Sequence, residues 1–254
     1  MKKLILTSVL SLFMVSCMAA GPAKTITRFE GMPITALDAS SAFEVTISQG
    51  STSSAKVTIP ENYVDRLVFE LENDGTLRVG MRQGLSRNKG EKLKLDVVCN
   101  TLTEVELSGA ANARLVTGLT TNKLDIDLSG ASIFRAAEAV VVNGECSIDC
   151  SGASVLEVMQ FNAQATELDC SGASVVKVVG EATGVDYDLS GASSVDCSHL
   201  TTGVVECEVS GASSLMLFAS ELASGRASGA SDVKVYGSGR LMIECTSSAS
   251  VGRR

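Results

Sequence analysis

Serines, carboxylates and a single histidine are the residues of this 254-residue chain that could carry chemistry. A Ser-Gly-Ala tripeptide recurs along it, and the phrases IDCSGASVL (148–156) and LDCSGASVV (168–176) are nearly identical. A nucleophilic serine is needed once and needs a base beside it, whereas His199 is the only histidine. The repetition therefore indicates a structural role for these serines.

The copies of the tripeptide recur at a nearly constant spacing. Successive opening serines lie 18 to 22 residues apart. They are Ser108, Ser129, Ser151, Ser171, Ser190, Ser210 and Ser228, with a degenerate eighth copy at Ser247. A period close to 20 residues is typical of a solenoid, in which each repeat buries its apolar side against its neighbours.

Each copy is flanked by alternating polar and apolar residues, such as DIDL at 125–128 before a corner and VVKV at 175–178 after one. Strict alternation indicates a strand with one buried and one solvated face. Two short strands per repeat cannot bury their apolar sides alone, but stacked coils can. The sequence therefore predicts an all-β parallel β-helix with coils of about 20 residues.

The tripeptide fits the corner between two such strands. A corner favours a residue that tolerates positive φ, which glycine does without steric cost. The predicted corner glycines are Gly109, Gly130, Gly152, Gly172, Gly191, Gly211 and Gly229. We expect the adjacent alanine to point into the bend and the serines to satisfy backbone groups at the corner.

Stacking also aligns acidic residues into two outward columns. One holds Glu106, Asp127, Asp149, Asp169, Asp188 and Glu208. The other, two residues earlier, holds Glu104, Asp125, Glu167, Asp186 and Glu206. Paired carboxylates could bind Ca²⁺, with Asp127, Asp149, Asp169 and Asp188 as candidate ligands. We favour a solvated, aggregation-resistant face, and we expect no cofactor.

The cysteines follow the apolar pattern and are expected to serve as small core residues. Cys150 and Cys170 should be stacked neighbours, although parallel side chains give poor disulfide geometry. The absence of any CxxC pair in the sequence gives no support to a zinc or thioredoxin-like site. A net charge of −8 argues against a nucleic-acid partner.

The amino terminus has the pattern of an export signal: Lys2 and Lys3, then a short apolar run at 4–15. MVSC at 14–17 resembles a lipobox, in which the cysteine is lipidated after cleavage. We therefore expect a signal peptide at 1–16, lipidated Cys17 and a tether at 17–28. This predicts a cell-envelope, outer-membrane lipoprotein, facing the periplasm or the exterior; ordinary cleavage near residue 20 is the alternative.

Residues 29–100 contain less regular strand-like runs, with a hairpin turn predicted at NDGTL (73–77). We expect this segment to form wider opening coils and a cap, because an open first coil would expose strand edges. Residues 101–254 hold the regular repeats.

The repeats and the strand-rich stretch 43–81 resemble the GIN domain family of auto-transporter adhesin heads, which implies that 29–254 is one GIN-like domain. The resemblance implies a right-handed parallel β-helix with a role in adhesion and no assigned active residues. We therefore expect a non-catalytic, lipid-anchored module for a glycan or protein ligand at the cell surface. The alternatives are a polysaccharide lyase-like enzyme, which rests on fold analogy, and a passive envelope spacer.

Overall fold

A computed structural model of the chain describes residues 22–82 and 91–254. Before the repeats, the described residues form seven strands and a short 3₁₀ helix. These are β1 (Ala23–Arg28), β2 (Ala36–Ala39), β3 (Phe43–Gln49), β4 (Ser54–Pro60), the helix (Glu61–Arg66), β5 (Leu67–Leu71), β6 (Thr76–Met81) and β7 (Leu93–Cys99).

The repeat region contributes the remaining strands of the described chain. These are β8 (Glu104–Leu107), β9 (Asn112–Leu115), β10 (Leu119–Leu128), β11 (Ile133–Ala136), β12 (Val140–Cys150), β13 (Val155–Cys170), β14 (Val175–Leu189), β15 (Ser194–Val209), β16 (Ser214–Phe218), β17 (Leu222–Ala227), β18 (Asp232–Tyr236), β19 (Arg240–Cys245) and β20 (Ser250–Arg253).

From β8 onward the strands stack in parallel, one coil upon the next. Ile126 aligns with Ile148, Leu168 and Tyr187 in successive coils, and all four side chains are buried. The pairing of the long strands is interrupted by a shift in register, which in β10 lies between Thr121 and Lys123. The chain is a β-solenoid of about eight turns, as the alternation predicted.

The corners are stacked as regularly as the strands. All seven predicted corner glycines have φ between 69° and 72°. At a typical corner the N–H of Ala173 donates to the carbonyl oxygen of Gly152 at 2.7 Å. A Cβ added to Gly172 would stand 2.4 Å from the same oxygen. Glycine is thus required both by its φ and by the close approach of the preceding coil.

Two details of the corners differ from the expectation. The alanine of each repeat is exposed, and the serine after it points inward: Ser154 and Ser174 are fully buried. The alternation of inward and outward side chains in the next strand therefore starts with this serine pointing inward. The column also extends beyond the glycines, because Ser41 (φ 70°) precedes Gly109 and Ser247 (φ 62°) follows the last glycine. Ser247 therefore occupies a glycine position, one place away from that of an opening serine.

The opening coils do not follow chain order. β2 lies between β6 and β8, and β3 lies between β7 and β9, in each case with parallel pairing. The coil made by β2 and β3 is therefore inserted between the strands β6 and β7 on one side and the first repeat on the other. The expected opening coils are present, but their spatial order was not predicted.

Antiparallel strands cap this end of the stack. β4 pairs with β7, and β5 pairs with β6 across the predicted hairpin turn, where Gly75 has φ 92°. Residues 23–28, expected in a tether, instead form β1 along the free edge of β4. Phe29 follows β1 and packs edge-on against Phe69 at 5.1 Å between ring centroids, which fixes the strand to the cap.

Candidate functional site

Register pairing brings the predicted acidic residues together as two columns on the outside of one face, which we call the acidic face. The proximal column, nearer the corner, consists of Glu106, Asp127, Asp149, Asp169, Asp188 and Glu208. The distal column consists of Glu104, Asp125, Ser147, Glu167, Asp186 and Glu206. Strands in a sheet are about 4.8 Å apart, so within the proximal column each carboxylate from Glu106 to Glu208 lies beside a like charge in a neighbouring coil, whereas Ser147 interrupts the distal column.

A groove of about 840 Å³ runs along this face. Both columns contribute to its lining, and Lys123 is its one basic lining residue among those the structure describes. Lys123 is already paired with Asp125, at 2.7 Å between Nζ and Oδ2. Bend residues such as Glu145 and Gly184 also line the groove, so the fold of each coil at this bend shapes it. The result is a concave surface with a strong excess of negative charge.

Three carboxyl groups of the proximal column have raised pKa values. Partial burial, followed by the charges of Asp38 and Asp127, raises the pKa of Glu106. Burial and then the charge of Asp127 raise the pKa of Asp149, and burial with Asp149 and Glu167 raises the pKa of Asp169. Burial is the larger cause in each case, so these carboxylates are both partly desolvated and mutually repelled.

Both ends of the proximal column carry arginine. Asp38 of β2 aligns with Glu106 and extends the column, and Arg78 Nε lies 2.8 Å from Asp38 Oδ2. At the other end Arg226 aligns with Glu208 and lies 3.7 Å from Glu244. Sequence spacing could not reveal Asp38, because its place depends on the inserted coil.

The predicted calcium ligands share the proximal column but do not converge on a point. Asp149, Asp169 and Asp188 border a second, smaller cavity of about 240 Å³ beside the corner serines, and Asp127 lies in the large groove. Within 22–82 and 91–254 no group of three or more His, Cys, Asp or Glu side chains is placed to hold a metal ion. Calcium binding at these four residues stays a prediction.

Inward corner serines such as Ser174, Ser193 and Ser231 donate to backbone carbonyl oxygens and not to a base, whereas the hydroxyls of Ser132 and Ser213 are buried without a hydrogen-bond partner in the described chain. Ser174 Oγ donates to the carbonyl oxygens of Ser171 (2.7 Å) and Cys150 (3.1 Å) as alternative acceptors. This agrees with the expected structural role of the corner serines.

The only histidine does lie beside a serine, which the sequence analysis did not single out. His199 Nδ1 is 3.1 Å from Ser198 Oγ, and that hydroxyl lies 2.6 Å from Asp196 Oδ1. Because the Ser198 hydroxyl donates its hydrogen bond to the Asp196 carboxylate, it does not donate to His199, and the histidine is not placed as the base of this serine. The arrangement also lacks the histidine–carboxylate contact of a triad.

Of the seven cysteines within 22–82 and 91–254, six are buried in the core and Cys245 is exposed. Burial raises the pKa of Cys99 to about 11 and of Cys146 and Cys207 to about 12, so their thiols stay protonated at neutral pH. Cys150 and Cys170 align as predicted and are free; the pKa of Cys170 is raised by its contact with Cys150 and by burial. Redox or nucleophilic chemistry is therefore not favoured at these buried thiols.

Comparison with known proteins places this geometry in a family. Residues 33–239 match the family described as "Putative auto-transporter adhesin, head GIN domain". The chain belongs to this GIN family. Among curated proteins, no sequence matches it.

Solved structures share the fold at low sequence identity. A "putative adhesin" from Parabacteroides distasonis is 17% identical, with a TM-score of 0.84, over 92% of this chain and 98% of that one. A "putative lipid binding protein" from the same species is 18% identical (TM-score 0.78; 92% and 97% covered). A "putative adhesin" from Parabacteroides merdae is 16% identical (TM-score 0.70; 92% and 95% covered). These relatives are named for adhesion or binding and not for catalysis.

The membrane-related predictions concern a different part of the chain. The signal peptide, Cys17 and the first residues of the tether lie outside the described residues. In the part that is described, no helix is long and apolar enough to cross a bilayer.

Proposed function

We propose that this GIN domain is a non-catalytic, lipid-anchored binding module of the cell envelope, and that the groove of the acidic face binds a positively charged segment of a protein partner. The observation that carries this proposal is the excess of carboxylates along the groove, where Lys123 is the one basic lining residue among those the structure describes. Like charges held in register destabilise the folded protein unless a counter-charge relieves them. A cationic ligand supplies that relief.

The shape of the groove favours an extended ligand. Its acidic residues repeat along the stack at the strand spacing of about 4.8 Å, so charge is distributed along a line. A lysine- or arginine-rich peptide matches a line of charges better than a single ion does. The acidic lining also favours a cation over an acyl chain, although one structural relative is named a lipid binding protein.

The anchor part of the proposal rests on the sequence. The basic start, the short apolar run and the lipobox-like MVSC support a lipid on Cys17. The GIN family, named for adhesin heads, supports an extracytoplasmic place for the domain. We expect Cys17→Ala to release the protein from the membrane fraction, as measured by detergent partitioning and immunoblotting. Retention of the variant in that fraction would contradict the anchor.

The ligand proposal is tested with a fluorescent oligolysine peptide and fluorescence anisotropy at low ionic strength. Asp149→Asn/Glu167→Gln removes two carboxylates that line the groove and should weaken binding about tenfold, and added NaCl should weaken binding to the unaltered protein. The matched control is Glu157→Gln/Asp196→Asn, which removes the same number of charges from another face. The control variant should bind within about twofold of the unaltered protein.

Three results would overturn the ligand proposal. Equal losses in both double variants would show only a response to net charge. Absence of peptide binding at low salt would favour the spacer. Cleavage of uronide polymers by the mature protein would favour the lyase-like enzyme.

A further inference from the structure

The two ends of the stack differ in how their strand edges are covered. At the first end, β1, β4 and β5 add antiparallel strands beside the opening coil. At the other end, β19 pairs with β17 and β20 pairs with β18, and no strand within 22–82 or 91–254 pairs with their outer edges. An uncovered strand edge is a template for another strand.

The outer edge of β19 has backbone groups available for pairing. The N–H of Arg240 donates to the carbonyl oxygen of Glu221, at 2.7 Å, so the backbone of Arg240 faces β17. Backbone groups of alternate residues in a strand point to opposite edges. Leu241 and Ile243 therefore direct their N–H and C=O groups to the uncovered edge.

The sequence of β19 is complementary to itself in the antiparallel sense. It reads Arg240-Leu241-Met242-Ile243-Glu244, with opposite charges at the two ends and apolar residues between them. When two copies run antiparallel about Met242, each Arg240 lies opposite a Glu244, and each Leu241 lies opposite an Ile243. The outward-pointing backbone groups of Leu241 and Ile243 then meet as a hydrogen-bonded pair.

We infer that this end of the solenoid binds a second copy of the same chain, through a two-fold antiparallel pairing of β19 with β19. Such an interface is isologous, the commonest form of homodimer contact. It continues the sheet of the acidic face from one molecule into the next.

Side-chain exposure on β19 agrees with this pairing. Leu241 and Ile243 pack against the core but are only partly buried, so a partner strand would complete their burial. Met242 is 50% exposed and would meet its symmetry mate. Glu244 has one ion pair in the described chain, a 3.7 Å contact with Arg226 in which both side chains are mostly exposed. It can therefore turn to Arg240 of a partner.

The dimer has a defined geometry. One face contains ten stacked strands from β6 to β19. At about 4.8 Å per strand, the two amino-terminal caps would lie on the order of 90 Å apart, at opposite ends of the assembly. This inference is independent of the acidic groove and of the lipid anchor.

Cross-linking tests the register directly. In an antiparallel sheet, opposite residues without hydrogen bonds between them have Cα atoms about 4.5 Å apart, which permits a disulfide. In a Cys245→Ser background, we expect Met242→Cys to give covalent dimers with diamide, resolved on non-reducing gels. The control is Ser224→Cys, at the aligned position one coil inward, which should not cross-link.

Charge reversal tests the pairing without a cross-linking reaction. By analytical ultracentrifugation over a concentration series, Arg240→Glu should raise the dimer dissociation constant about tenfold or more. Arg240→Glu/Glu244→Arg should restore it, because the double variant is again self-complementary. Circular dichroism melts verify that each variant is folded. A monomer at all concentrations, a Met242→Cys variant that does not cross-link, or failure of the double variant to restore dimers would overturn the inference.

Discussion

The acidic face and the adjacent face of the solenoid use the same strand alternation but handle charge differently. On the adjacent face, a column after the corner contains Arg114, Arg135, Glu157, Lys177, Asp196, Met216 and Lys234. Its charges alternate from Arg135 to Asp196, and Arg135 Nε lies 2.6 Å from Glu157 Oε2. We call this the mixed face.

The comparison shows that stacking does not impose repulsion on this fold. From Arg135 to Asp196 the mixed face places opposite charges on neighbouring coils, whereas the proximal column of the acidic face is wholly negative from Glu106 to Glu208. The single sign of the acidic face is thus a property of its residues and not of the scaffold. This difference supports a binding role for that face.

The largest effect is expected at the corner that joins the two faces. Gly172→Ala should destabilise the protein by about 3 kcal/mol, because the residue has φ 70° and its Cβ would overlap the carbonyl oxygen of Gly152. Gly184→Ala is the control, since the nearest atom to its added Cβ is 3.7 Å away. Urea unfolding gives both free energies. Equal losses would contradict stacked corners.

Charge neutralisation should act with opposite sign on the two faces. Asp149→Asn/Asp169→Asn should increase the unfolding free energy at pH 7 by about 0.5–1 kcal/mol, because it relieves like charges in adjacent coils. Glu157→Gln should decrease it by a few tenths of a kcal/mol, on the order expected for an exposed ion pair. Thermal melts in low salt provide the measurement, and a loss of stability in both variants would remove the distinction between the faces.

Stability should also depend on pH through the proximal column. The folded-state pKa values of Glu106, Asp149 and Asp169 are raised, so their ionised forms weaken the folded state at neutral pH. The unfolding free energy should therefore rise as pH falls from 7 through these folded-state values, by a few tenths of a kcal/mol per group.

Two other carboxyls limit this rise in stability. The pKa of Asp74 is lowered by hydrogen bonds from Thr76, and that of Asp232 by hydrogen bonds from Ser250 and Lys234, so their contribution is lost at still lower pH. Asp149→Asn/Asp169→Asn should flatten the rise between neutral pH and the ordinary carboxyl range. An unchanged pH profile in that variant would assign the rise to other groups.

The smallest expected effect is that of calcium on the acidic face. If the carboxylates only form a solvated face, Ca²⁺ should shift the melting temperature no more than Mg²⁺ or NaCl of equal ionic strength does. Binding to the native state at a hundredfold excess over Kd would instead add about 2.7 kcal/mol. A Ca²⁺-specific rise that is lost in Asp149→Asn/Asp169→Asn would establish a metal site and contradict this expectation.

The repeats could be predicted because the residues that determine each coil lie close together in the sequence. Alternation fixes which residues point outward, and the period fixes which of them align, so the columns through Asp127 and Asp149 followed from counting. The corner glycines followed because few other residues tolerate their φ. The inward serine was missed because the phase of the chain after a turn depends on the turn geometry.

The opening coils could not be predicted in the same way. The place of β2 between β6 and β8 depends on pairings between strands far apart in sequence. The sequence around Asp38 and Arg78 contains no pattern that indicates these pairings. The tether was extended too far because an exposed, polar strand such as β1 has the composition of a linker. Its pairing with β4 requires knowledge of that free edge.

The inserted coil has a consequence for how the chain reaches this structure. In the repeats, contacts such as Ser154 with Ser174 close loops of 20 residues, whereas Thr103 reaches back 68 residues to Thr35. Closing longer loops costs more entropy, and pairing that is distant in sequence slows folding. We expect the repeats to nucleate the fold. β2 and β3 leave the ribosome before β6 to β9, with which they pair, so this early-synthesised coil can be completed only after the first repeat has been made.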